Sequence, residues 1–344
     1  MPDNPRILVI RRRYLGDIVL LGSLFRNLRL HWPGAHLAAL VEPVWAPILS
    51  LNPDVDSVVG LPSALSEWPG FIGALRRGGF THVLDLDNTE KTALVARLSG
   101  ARMRVALHHG AHPLRMRALY THAAYEGEEE HEGQPISEYY LKALGPAGVP
   151  VATREVRLVP RESEVQDWMR VVGAQGRTLL VHPGSRSAWR IWPEERFAAV
   201  CDRVQDELGA QVVLVGGPAD AGLVASIRAK ARTHILAVAE PPTLTRLAAL
   251  ARACSLLLCH DSGPMHVAAA VGTRVVALYG SQNPVLFRPH GEGHTQLVPA
   301  MPCTECVAPG KCVPADSYRT LCVRRHTVEQ VYGAVKSALS AAPS

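Results

Sequence analysis

The sequence predicts an α/β protein made of two doubly wound domains in series. Short apolar runs alternate with amphipathic helical segments in both halves, which is the pattern of βαβ units and parallel sheets. At 344 residues the chain exceeds the size at which single cores stop growing, so two domains of roughly 150 to 180 residues are expected. Four polar, glycine-bearing turns each follow the end of an apolar run, the place where open parallel sheets bind ligands.

In the first half, residues 6–11 read as a buried strand, and an amphipathic helix follows Tyr14-Leu15-Gly16-Asp17 until Pro33-Gly34 ends it near Trp32. A second strand at 38–42 completes a βαβ unit and implies a parallel pair. Residues 82–87 form a further strand, with a helix at 91–98. Gly145-Pro146-Ala147-Gly148-Val149-Pro150 reads as the linker. The second half repeats the theme, with strands at 178–182, 211–215, 235–238, 255–259 and 274–279 and helices at 193–208, 220–231 and 243–253. The expected domains are 1–150 and 151–326, and a last helix within 327–344 packs back on one half or the other.

With 47% hydrophobic and 19% charged residues the chain is a folded globular protein. No apolar run approaches the ~20 residues of a membrane span, and Met1-Pro2-Asp3-Asn4-Pro5 leads into a strand without a signal-peptide pattern, so a cytoplasmic location is expected. The net charge of +5 divides unevenly: 15 basic and 15 acidic groups in residues 1–150, 21 and 16 thereafter. This mild excess excludes a nucleic-acid polycation. Between Arg97 and His122 stand five Arg, four His and no acid. That stretch reads either as a solvated helix and loop or as a seat for an anionic substrate.

The turns carry the chemistry. At Asp261-Ser262-Gly263 an apolar strand stops and a helix rich in alanine begins. Glycine there lets backbone approach a ligand, and the first helical N–H groups and the helix dipole favour a phosphate. Asp261 or Ser262 reads equally well as an ordinary N-cap. Gly16-Asp17, His182-Pro183-Gly184-Ser185 and Gly216-Gly217-Pro218 also follow strand ends, and the four turns together point to one cleft. No Gly-x-Gly-x-x-Gly follows a strand, which argues against a dinucleotide dehydrogenase.

Leu15-Gly16-Asp17-Ile18, then His182-Pro183-Gly184-Ser185 leading to Arg190-Ile191-Trp192-Pro193, then Gly216-Gly217-Pro218 and Asp261-Ser262-Gly263-Pro264-Met265-His266 occur in one order. In that ordered set, over roughly residues 6–335, the chain resembles the heptosyltransferases of glycosyltransferase family 9. The resemblance implies a GT-B architecture, an N-terminal acceptor domain facing a C-terminal nucleotide-sugar domain. It further implies inverting transfer of a heptose from an ADP-sugar to the inner core of lipopolysaccharide. No divalent metal is obligatory in such enzymes, so protein cations and amides must neutralise the diphosphate. Asp17 matches the general base, with Gly16 beside it allowing close approach of the acceptor. Ser185, Arg186 and Arg190 match the phosphate contacts, although the family usually has Lys where Arg190 stands, which keeps the charge and changes its geometry. Asp220 matches a ribose ligand, Thr243 lies in the segment lining the adenine, and Asp261 matches a ligand of the sugar hydroxyls. Ser262 and Gly263 would give amides to the diphosphate, with His266 one turn further. Arg102, Arg104, Arg115 and Arg117 suit the phosphates of an anionic lipid-linked acceptor at the inner membrane face. A different nucleotide sugar or another acceptor fits the same motifs, and a non-catalytic glycan-binding protein is a third reading.

Four of the seven cysteines, Cys303, Cys306, Cys312 and Cys322, fall within 20 residues. They read as a structural zinc site, as a disulfide or as reduced thiols. Cys201, Cys254 and Cys259 read as small core hydrophobes.

Overall fold

Strand β1 (Arg6–Ile10) carries four successive apolar residues, each no more than 1% exposed, and a run without polar alternation needs cover on both faces. A computed structural model, describing residues 4–173, 177–186, 190–300 and 321–341, places β1 near the middle of a six-stranded parallel sheet. The chain divides into two units, Met1–Val159 and Pro160–Ser344.

In the first unit the elements run β1, α1 (Leu15–Leu20), α2 (Gly22–His31), β2 (His36–Val41), α3 (Ala46–Leu49), β3 (Ser57–Gly60), α4 (Trp68–Arg77), β4 (His82–Asp85), α5 (Glu90–Leu98), β5 (Met103–His109), β6 (His122–Glu126), α6 (Glu128–Glu132) and α7 (Ile136–Leu141). The sheet order is β3-β2-β1-β4-β5-β6. Ile10 pairs with Leu40 on one side and Asp85 on the other, so the order reverses between β1 and β4. That switch point is where a doubly wound sheet opens a crevice.

The second unit runs α8 (Glu162–Val172), β7 (Thr178–His182), α9 (Glu194–Leu208), β8 (Gln211–Leu214), α10 (Ala221–Lys230), β9 (Leu236–Ala237), α11 (Leu244–Ala253), β10 (Leu256–His260), α12 (Gly263–Ala270), β11 (Arg274–Leu278), β12 (Thr295–Leu297), α13 (Leu321–Arg324) and α14 (Val328–Ser340). Its order, β12-β11-β10-β7-β8-β9, repeats the first topology with β7 and β10 at the switch point, where Cys259 pairs with His182. Val331, Val335 and Leu339 recur at intervals of four and bury one face of α14 in this unit's core. The last helix therefore belongs to the second unit.

Three expectations change. The segment read as a linker is packed: Ala147 and Val149 are buried, and Gly148 adopts the left-handed φ of +71° that closes the turn. The chain stays on the first unit beyond it, because Asn27 Oδ1 accepts from the Ala152 and Thr153 N–H groups and Val159 N–H donates to Leu51 O at 2.8 Å. The division falls at Val159, not at 150. Finally, the basic stretch from Arg97 to His122 is built around a strand, since Val105, Ala106 and Leu107 of β5 are fully buried.

Candidate active site

Four elements of the first unit meet at its switch point. Arg11 and Arg12 leave the end of β1, Asp87 lies two residues past β4, Asp17 is in the first turn of α1, and Tyr140 comes from α7. Asp17 Oδ2 accepts from the Tyr14 N–H at 3.0 Å, which caps α1. Its Oδ1 accepts from the Tyr140 hydroxyl and lies 3.1 Å from Arg11 Nη2. Arg11 also bridges to Asp87 Oδ1 at 3.3 Å, and Arg12 Nε takes the other Asp87 oxygen at 2.7 Å. Burial works against the charge of Arg11, but Asp17, Tyr140 and Asp87 outweigh it and the guanidinium is held more firmly protonated than usual. Burial likewise pushes the Tyr140 hydroxyl well above the ordinary phenol range. Capping and site geometry are thus combined in one Asp17 carboxylate.

The four arginines expected at an anionic acceptor separate into two groups. Arg102 and Arg104 lie at the start of β5, the sheet edge opposite the switch point, and Arg104 donates to the carbonyls of Leu119 at 2.7 Å and Ala101. Arg104 is a structural brace there. Arg115 is exposed, pairs with Glu90, and its N–H reaches Asn88 Oδ1 at 2.9 Å, which ties its loop to the turn after β4. Arg117 donates to Tyr120 O at 3.0 Å. Gly16 lies half-buried beside Asp17.

At the second switch point, His182 ends β7 and His260 ends β10. His260 Nε2 accepts from the Trp192 N–H at 2.9 Å, so the proton of the neutral ring is on Nδ1. Burial lowers its pKa to about 3. Next to it the Asp261 side chain is 2% exposed, and neither of its oxygens has a hydrogen-bond partner among the described residues. Burial pushes this carboxyl up to about 7, with Arg190 pulling the other way. Arg190 Nη1 is 3.7 Å from Asp261 Oδ2, and Arg190 Nε is buried and likewise without a partner among the described residues. Buried polar groups are nearly always paired, so among the described residues this cluster has unused capacity to accept hydrogen bonds at Asp261 and to donate them at Arg190.

The choice between cap and anion site at Asp261-Ser262-Gly263 is narrowed by the same geometry. The Ser262 hydroxyl turns back to His260 O at 3.3 Å, and among the described residues no side chain caps α12. Ser185 is half-buried and Arg186 exposed just after Gly184. A Cβ on Gly184 would overlap the Asp220 carboxylate, and one on Gly216 would meet Asp220 Cβ at 2.7 Å. Asp220 in turn accepts from the Gly217 N–H at 2.8 Å and stands 4.0 Å from His182 Nε2. Glycine at both turns is what lets this acid sit between β7 and β8. Thr243 caps α11 through Arg246 N–H at 3.3 Å, and His266 is buried one turn into α12.

Among the described residues no group of three or more His, Cys, Asp or Glu is arranged to hold a metal ion. Cys303, Cys306 and Cys312 lie outside those residues, and Cys322 packs half-buried against the second core. Cys201, Cys254 and Cys259 are buried thiols. No helix among the described residues is long and apolar enough to cross a membrane.

Arg11, Tyr140, Asp87 and His260 were not singled out by sequence. Arg11 does follow a strand end, a usable signal, but Tyr140 is 123 positions from Asp17 and no local pattern links them.

The chain is 27% identical over 300 residues to lipopolysaccharide heptosyltransferase 3 of Escherichia coli K12, covering 83% of this chain and 85% of that protein. Among solved structures it resembles a family 9 glycosyl transferase from Veillonella parvula, with a TM-score of 0.82, 23% identity and 97% of each chain covered. It also resembles Escherichia coli ADP-heptose lps heptosyltransferase II, with a TM-score of 0.78, 24% identity, and 97% and 98% covered. Residues 70–315 match the model of glycosyltransferase family 9 (heptosyltransferase), and with two Rossmann-like units of the GT-B class the chain belongs to that family.

Proposed function

We propose that this heptosyltransferase moves a heptose from ADP-heptose to a sugar hydroxyl of the lipopolysaccharide inner core, with inversion and without an obligatory metal. The first unit takes the anionic, lipid-linked acceptor and the second the nucleotide sugar. Asp17 removes the proton of the acceptor hydroxyl as its oxygen bonds to the anomeric carbon. The bond from that carbon to the diphosphate breaks, and ADP leaves with the electron pair. Arg190, Ser185, Arg186 and the amides of Ser262 and Gly263 balance the charge that develops on the diphosphate. Asp261 accepts from hydroxyls of the sugar with His266 nearby, Asp220 serves the ribose, and the backbone about Thr243 lines the base. Arg115 and Arg117, next to the turn after β4, meet acceptor phosphates, and Gly16 lets the acceptor approach. The enzyme works in the cytoplasm at the inner membrane face, in peripheral contact with the membrane surface.

The observation that carries this reading is the buried Asp261 carboxylate beside Arg190, at a helix start that no side chain among the described residues caps. A panel of ADP- and UDP-sugars, assayed for nucleotide release with a heptose-deficient lipopolysaccharide acceptor, tests it. ADP release from ADP-heptose is expected; release only from another donor would overturn the assignment. Arg190 in place of the family's usual Lys favours that second outcome more than any other residue here, since a fork and a point charge seat a diphosphate differently.

A further inference from the structure

We infer that Tyr140 and Arg11 are positioning residues for the base, jointly holding the Asp17 carboxylate through Oδ1 in the orientation that receives the acceptor proton. The inference rests on the proposed role of Asp17.

Two side-chain donors fall on one oxygen. The Tyr140 hydroxyl and Arg11 Nη2 meet at Oδ1, and the Tyr14 N–H donates to Oδ2 at 3.0 Å. Two donors from different elements on one carboxylate oxygen fix rotation about Cβ–Cγ, which a single donor would leave loose. Each donor is itself held. Arg11 is pinned by Leu86 O at 3.2 Å and Asp87 Oδ1 at 3.3 Å, and its guanidinium carbon lies 5.5 Å from the centre of the Tyr140 ring. Asp87 is fixed in turn by the Arg12 N–H and Nε. Tyr140 is fully buried, so its hydroxyl has a fixed partner and not exchanging water. A base held within a narrow arc is what proton transfer to a positioned hydroxyl needs.

Among the described residues, charged and titratable groups from several elements lie about Asp17. The end of β1 gives Arg11, with Asp87 behind it; α7 gives Tyr140, with the Tyr139 ring 6.0 Å beyond. Of the other helices packed on α1, α3 carries none, and in α2 Arg26 and Arg29 pair with Asp54 and Asp56 and His31 lies in the last turn.

The test compares Tyr140→Phe, Arg11→Lys and Asp17→Asn in the full chain, following ADP release from ADP-heptose across pH. Tyr140→Phe is expected to lower kcat about tenfold, the size of one hydrogen bond to a charged group, with the donor KM unchanged. Donors favour the charged carboxylate, so removing one raises its affinity for protons, and the acid limb of kcat moves to higher pH. Arg11→Lys keeps the charge without the fork and should move the limb the same way by less. A purely structural role would lower the melting temperature and leave the limb in place. If Asp17→Asn is inactive while both other variants keep the wild-type limb, the inference fails and the base assignment survives. If Asp17→Asn turns over like wild type, both fall. Should Tyr140→Phe not fold, the limb of Arg11→Lys decides.

Discussion

At the switch point of the first sheet the Asp17 carboxylate is met by a guanidinium, a phenol and a backbone amide. At the switch point of the second sheet Asp261 has an arginine at 3.7 Å and no hydrogen-bond donor among the described residues. Both acids stand where an apolar strand gives way to a helix, Asp17 in the first turn of α1 and Asp261 two residues before α12, so a place at a switch point alone does not decide how they are treated. The surroundings differ in what they leave for a ligand. Asp17 is oriented before any substrate arrives, as suits a group that must meet one hydroxyl at one angle. Asp261 is buried and under-paired among the described residues, as would suit a group whose partners come from a bound molecule.

The contrast breaks most sharply at Asp17. Asp17→Asn should lower kcat by about 100-fold or more, the usual worth of a general base, while ADP affinity measured by calorimetry stays at the wild-type value. Equal loss of both would make Asp17 a scaffold for the unit. On the other side, Arg190→Ala should weaken ADP binding by roughly 10- to 100-fold, as for loss of hydrogen bonds to a charged group. Asp261→Ala should weaken ADP-heptose and spare ADP, and a variant that weakens both alike would remove Asp261 from the sugar.

Titration of the free protein sharpens the same comparison. The Asp261 carboxyl is raised from 3.8 to about 7, so the fold favours its neutral form. The resulting stability is fully present below pH 3.8 and is lost as pH rises towards 7, by up to about 4 kcal/mol. Asn mimics the neutral acid, so the melting-temperature gain of Asp261→Asn over wild type should grow between those two pH values and then level off. A gain that is flat with pH would mean that Asp261 is charged throughout. His260 acts in the other direction: lowered from 6.5 to about 3, it costs stability as pH falls through that window. Subtracting wild type from the Asp261 variant cancels it.

Much of this was legible in the sequence, and the boundary follows physical range. Strands β1, β7 and β10 were readable because buried parallel strands are apolar without interruption. Strand β5 was hidden because its buried centre is short and its ends carry Arg104, His108 and His109. Asp17, Asp220 and Asp261 were legible because turns after strands are local. Tyr140 and Arg11 were not identified as partners of Asp17, since that depends on packing across the whole first unit. Gly184 lies between these cases: its turn was evident, its reason was not. Gly184→Ala should cost about 1 to 3 kcal/mol, because the Asp220 carboxylate would have to move out of the space it shares with the new methyl. An unchanged melting temperature would show that Asp220 moves aside freely.

The smallest effect separates the basic residues of the first unit. Arg115 is exposed and reaches the turn after β4, whereas Arg104 is committed to backbone carbonyls at the far edge of the sheet. Exposed cations attract a phosphorylated acceptor through a field that salt screens over about 10 Å at 0.1 M. Arg115→Ala should therefore raise the acceptor KM a few-fold at low salt, with the difference from wild type closing as salt is added. Arg104→Ala should leave the acceptor KM alone and lower the melting temperature, since carbonyls that were paired lose their donor. If instead Arg104→Ala raises the acceptor KM in a salt-dependent way and Arg115→Ala does not, the acceptor approaches the opposite edge of the sheet, and the assignment of the switch point to the acceptor falls with it.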